Sequence, residues 1–162
     1  MDEIAHFRMR HRLAVILHLA LVCGGFIAFL VSYLFSQAMS VSIASAAEHR
    51  AMRQAIYGSV FVVSVGVIVL RRWFLSVGRL GRAAERRGMA GVVDHLLKAT
   101  IVLGAASEVV LLLGFVLSLL TRVFEDMWRL GGIGLILLLY TYPWRSTWSR
   151  AIERAESFGR RT

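Results

Sequence analysis

Apolar positions fall in long runs rather than in the short alternations of a soluble protein, and charged residues punctuate the runs. A bilayer core of about 30 Å needs roughly 20 mainly apolar helical residues, and four stretches approach that requirement. The first covers 13–35, interrupted only by His18 and small polar side chains. The second covers 54–72 and ends at the Arg71-Arg72 pair, and the third covers 96–120, with Lys98 near its start and Glu108 near its middle. The fourth, 128–143, is the weakest, because its charge-free part is short and Pro143 closes it. Proline cannot continue a helix without losing a backbone hydrogen bond, whereas a short span can be accommodated by local thinning of the bilayer. The pattern predicts an all-α integral membrane protein of four transmembrane helices, forming one membrane domain over 1–162. The first run, 23 residues long, exceeds the 7–15 or so of a signal-peptide core and reads as a retained span.

Composition supports that class and charge orients it. Of 162 residues 57% are hydrophobic and 18% charged, against about 25% charged in an average soluble domain. The 19 cations outnumber the 10 acids for a net charge of +9, and all the cations except Lys98 are arginine. Fourteen arginines lie in the N-terminal tail, a basic loop over 71–95 and the C-terminal tail, while four (Arg50, Arg53, Arg122, Arg129) lie in the other two loops. The positive-inside rule then places both termini in the cytoplasm of a bacterial-type inner membrane, which an even number of spans also requires. No aromatic-studded soluble basic patch is present, so no nucleic-acid partner is expected.

Two basic stretches predict contact with the membrane surface. Trp73 and Trp144 flank spans at headgroup level, as anchoring aromatic rings do. In the tail, 146–160, Trp148, Ala151, Ile152, Ala155 and Phe158 share one face of an amphipathic helix expected to lie on the cytoplasmic surface. Arg71, Arg72, Arg79, Arg82 and Arg86, with Trp73, Trp144 and Trp148, are the candidate lipid-headgroup residues, and anionic lipids the expected partners.

Glu108 is the acid that topology does not explain. An ionisable side chain near the bilayer centre costs at least ~2.5 kcal/mol and normally faces protein or water. At 100° per residue Gly104, Ser107, Glu108, Gly114 and Ser118 share one stripe of the third helix. Small residues let helices approach closely, and Gly24, Gly25 and Ser64 lie at comparable depth in the first two spans. The stripe therefore reads as an intramembrane packing or interface surface with Glu108 as a hydrogen-bonded clamp. The string from Glu108 to Gly114-Phe115-Val116 resembles the carboxylate-bearing helix of rotary-ATPase proteolipid subunits, and the resemblance implies proton binding at Glu108. The glycine-rich partner helix of those subunits is missing, and a +9 chain is unlike them.

His18 and His95 are candidate haem or quinone ligands by residue type; helix-packing and headgroup roles are the expected ones, so no cofactor is expected. His6, His11 and His49 have no metal spacing, and Cys23, the sole cysteine, excludes a disulfide framework within one chain. No P-loop, H-E-x-x-H, G-x-S-x-G or CxxC motif occurs, and no extramembrane segment is long enough for a catalytic domain. The leading expectation is a non-catalytic accessory or scaffold subunit that packs against other membrane subunits or copies of itself through small-residue helix faces. A proton- or ion-conducting subunit using Glu108 is the alternative, and a haem- or quinone-binding redox subunit the third.

Overall fold

The computed structural model describes residues 3–38 and 46–159, and no strand occurs among them. The side chains of Arg86 and Phe158, residues 39–45, and Arg160 and Arg161 at the end of the tail lie outside the described part. The elements are α1 (Glu3–Ala38), α2 (Ala46–Phe74), α3 (Val77–Thr121), a short α4 (Phe124–Asp126) continued by a π-helical turn (Met127–Gly131), α5 (Gly132–Thr141) and α6 (Arg145–Gly159).

Among the described residues three helices are long and apolar enough to cross a membrane: Ala5–Ala38 in α1, Arg50–Phe74 in α2 and Arg87–Thr121 in α3. Their outward side chains are large and apolar, for example Ile16 at 64% exposure and Phe61 at 70%, an arrangement suited to lipid and costly in water. The fourth expected span differs in form. Its α-helical body is only Gly132–Thr141, the π turn and α4 extend it toward its N-terminus, and Pro143 stands beyond its end.

The expected basic loop over 71–95 is helical instead. Only Leu75 and Ser76 separate α2 from α3, with the Ser76 hydroxyl donating to the Trp73 carbonyl at 2.8 Å. Arginine is a good helix former, and solvated guanidinium groups do not interrupt the backbone ladder. The break comes later, at Arg87 (φ −144°) and Gly88 (φ +62°), where α3 kinks. Glycine alone takes that left-handed conformation without steric cost.

The chain packs as two units, and α1, α2 and α3 each contribute to both. Unit 1 comprises the segment ending at Leu19, Ile68–Gly104 and the segment from Thr141 onward. Its core holds Ala14, Leu80, Val92, Leu96, Trp148 and Ala151. Here the amphipathic tail departs from expectation: Trp148, Ala151 and Ala155 are buried in the protein, so the apolar face of α6 covers protein rather than lipid. The Trp148 ring meets His11 at 5.2 Å and Phe7 at 6.1 Å, both edge-on. His11 Nε2 donates to the Pro143 carbonyl at 3.0 Å, tying the start of α6 to α1.

Unit 2 comprises Ala20–Val67 and Ala105–Tyr140. Its core is Ala28, Leu111, Met127 and Leu138 with Phe29, Phe115 and Leu135 packed around them. Backbones approach closely at glycine: a Cβ at Gly114 would lie 2.7 Å from the Gly131 nitrogen, and one at Gly134 would lie 2.7 Å from the Leu111 nitrogen. The π turn carries Leu130 and Gly131 into that contact.

Candidate functional site

Helix α3 places its small and polar residues in both units. Gly104 is buried in unit 1; Ser107, Gly114 and Ser118 are buried in unit 2, and Glu108 is half-buried there. The Ser118 hydroxyl lies 2.6 Å from that of Ser32 on α1, a short interhelical hydrogen bond between two buried groups. Gly114 is occupied by the internal approach of Leu130 and Gly131 described above. Glu108 faces Gly24, where a Cβ would sit 3.6 Å from Oε1. Its second carboxyl oxygen, Oε2, is buried without a hydrogen-bond partner among the described residues, as is the Ser64 hydroxyl on α2.

The strongest polar cluster in unit 2 centres on Asp126, which sequence reasoning overlooked. Asp126 is 3% exposed, and Arg53 of α2 donates to its Oδ2 from Nε at 3.0 Å and Nη2 at 2.8 Å. The Thr121 hydroxyl lies 2.8 Å from the same oxygen, and Tyr57 donates to Oδ1 at 3.4 Å. Arg53 and Tyr57 stand four residues apart, one turn on the same helical face. Thr121 also accepts from the Val123 amide at 3.3 Å, which braces the reversal at Arg122, where φ is +57°. Such a conformation costs a non-glycine residue of order 1 kcal/mol or more. The local signal in the sequence is an acid just after a span end, with an Arg-x-x-x-Tyr pair opening another span; nothing local states that the two meet.

In unit 1, Arg79, Arg82, Arg87, Asp94, His95 and Lys98 line a cavity of about 440 Å³ formed by the two limbs of the α3 kink. Gly91 permits the close approach, since a Cβ there would lie 2.6 Å from the Ala83 carbonyl oxygen. Arg79 stacks on Trp73, its guanidinium carbon 2.9 Å from a ring centre. Arg82 Nε donates to the Gly78 carbonyl at 3.1 Å, and His95 Nε2 to the Phe74 carbonyl at 3.1 Å. Asp94 pairs with Arg10 at 3.3 Å. Arg79 and Arg82 of the sequence-derived headgroup set thus meet Arg87 and Lys98. Arg71 instead lines a separate cavity of about 190 Å³ with Arg150 and Arg154. Arg72 is exposed, and Trp73 and Trp144 are 46% and 56% exposed. Trp148 belongs to the core, so it is not placed to touch headgroups.

The two histidines have separate surroundings. His18 is buried with its ring edge-on to Tyr142 at 5.5 Å, and His95 holds the Phe74 carbonyl. No group of three or more His, Cys, Asp or Glu that could hold a metal occurs among the described residues. No family model matches this chain, and neither a curated protein nor a solved structure matches it.

Proposed function

We propose that this protein is a non-catalytic scaffold subunit of a membrane assembly, with α2 as the face that receives a neighbouring transmembrane helix. The observation that carries the reading is the contrast between α2 and α3: 11% of the apolar window of α2 is buried, against 44% for α3. Gly104, Ser107, Gly114 and Ser118 of α3 are buried, whereas Gly58 and Gly66 of α2 have no described residue within 4 Å of where a Cβ would stand. With Ala55, Ser59 and Val62 they form one open face. Small residues on such a face allow the close helix contact that drives association in lipid, where burial of apolar area supplies no net force. Four spans with cytoplasmic termini complete the proposal. The gathering of the N-terminal segment, the basic 68–104 segment and the C-terminal segment into one unit supports a common side for all three.

Mild-detergent extraction tests the assembly. Wild-type protein should migrate with at least one further chain, and Gly58→Leu with Gly66→Leu should release it as a folded monomer. A wild-type monomer with no companion chain would remove the reading's support. The buried, unpartnered Oε2 of Glu108 favours a second reading, proton or ion conduction. In reconstituted vesicles Glu108→Gln should then abolish flux while leaving assembly unchanged; intact flux in that variant would eliminate the reading.

A further inference from the structure

The geometry points to the cavity at the α3 kink as a phosphate site, filled by the headgroup phosphodiester of an anionic lipid or by a free phosphate. Four cations, Arg79, Arg82, Arg87 and Lys98, line it against one carboxylate, Asp94, and Arg10 already holds that carboxylate. The three ion pairs formed among the described residues, Arg10–Asp94, Arg53–Asp126 and Arg129–Glu125, engage none of these four cations. Like charges converging on an open cavity repel one another, and an anion between them converts that repulsion into attraction.

The donors suit a phosphate in particular. The contact with Trp73 is made through the Arg79 guanidinium carbon over the ring and does not use the guanidinium N–H groups, whose fork matches a tetrahedral oxyanion. Arg82 spends its Nε on the Gly78 carbonyl, which fixes the stem and leaves its terminal nitrogens to donate. At about 440 Å³ the cavity holds a whole phosphate ester rather than a single ion. Trp73, 46% exposed beside it, has the character of an interfacial ring, and basic pockets at that level take anionic headgroups. The site uses unit-1 residues only and does not rest on the assembly reading.

The test is a titration of the full chain in nonionic detergent, followed by Trp fluorescence and calorimetry. The probes are short-chain phosphatidylglycerol, short-chain phosphatidylcholine and inorganic phosphate. Saturation by phosphatidylglycerol but not phosphatidylcholine identifies a lipid headgroup; saturation by inorganic phosphate identifies a free phosphate; either result supports the site. Each cation near a bound anion contributes about fivefold in affinity, so Arg82→Gln, Arg87→Gln and Lys98→Gln combined should weaken binding about a hundredfold. Asp94→Asn removes the one lining carboxylate and should strengthen binding severalfold, a gain that misfolding cannot produce. No saturable binding of either anion, or an affinity unchanged in both variants, would overturn the proposal.

Discussion

Replacing Gly114 by alanine tests the close backbone contact that organises unit 2. The new Cβ would lie 2.7 Å from the Gly131 nitrogen, 2.9 Å from Leu130 Cβ and 3.2 Å from the Leu130 carbonyl carbon. Two of those atoms are backbone and the third is fixed to it, so no rotamer change relieves the overlap. Against an ordinary contact of ~3.5 Å the shortfall is about 0.8 Å. Overpacking of this kind costs about 1–3 kcal/mol, while alanine recovers about 1 kcal/mol of helix propensity over glycine. The net expectation is a loss of about 1 kcal/mol. Gly58→Ala supplies the control, because no described residue lies within 4 Å of its would-be Cβ; it should gain about 1 kcal/mol. Unfolding by SDS in mixed micelles, followed by far-UV circular dichroism, reads both variants against wild type. Shifts of the same sign and size in Gly114→Ala and Gly58→Ala would refute the packing argument.

Two further perturbations address the polar hub and the tail. Asp126→Ala leaves Arg53 without its buried partner; because the Arg53 side chain is 38% exposed, screening reduces the usual penalty to about 2 kcal/mol. The same SDS titration should show that loss, with Arg53→Lys intermediate; a stable Asp126→Ala would remove the hub's importance. Trp148→Ala empties a core site worth about 3–5 kcal/mol, enough to release α6 from unit 1. Trypsin should then cut at Arg150 and Arg154 well before the wild-type chain is cut there; equal resistance would contradict the docking of α6.

The long apolar helices were legible because a hydrophobic run of that length has few other uses, and helical spacing grouped Gly104, Ser107, Gly114 and Ser118, which are all buried. What escaped were properties that depend on who faces whom. The amphipathic face around Trp148 announces burial, but an apolar face satisfies lipid and protein alike, and only the fold shows Trp148 against Phe7 and His11. The 71–95 stretch looked like a loop because arginines and glycines cluster there, yet it leaves the helix only at Leu75-Ser76 and at the Arg87-Gly88 kink. Asp126 and Arg53 are 73 positions apart, so their pairing has no local signature beyond the Arg53–Tyr57 spacing. The glycines illustrate the same limit: Gly58 and Gly114 are equivalent letters in apolar helices, one open and one closed by Leu130 and Gly131.

That α2 carries the assembly face is tested most directly by photo-crosslinking in intact native membranes. A benzophenone side chain at Val62, between Gly58 and Gly66, is compared with one at Ile136 of α5. The two positions are 68% and 67% exposed, so bare accessibility does not distinguish them. The expected result is a discrete protein adduct heavier than the 18.1 kDa chain from Val62 and only lipid products from Ile136. Lipid products alone from both positions would contradict it.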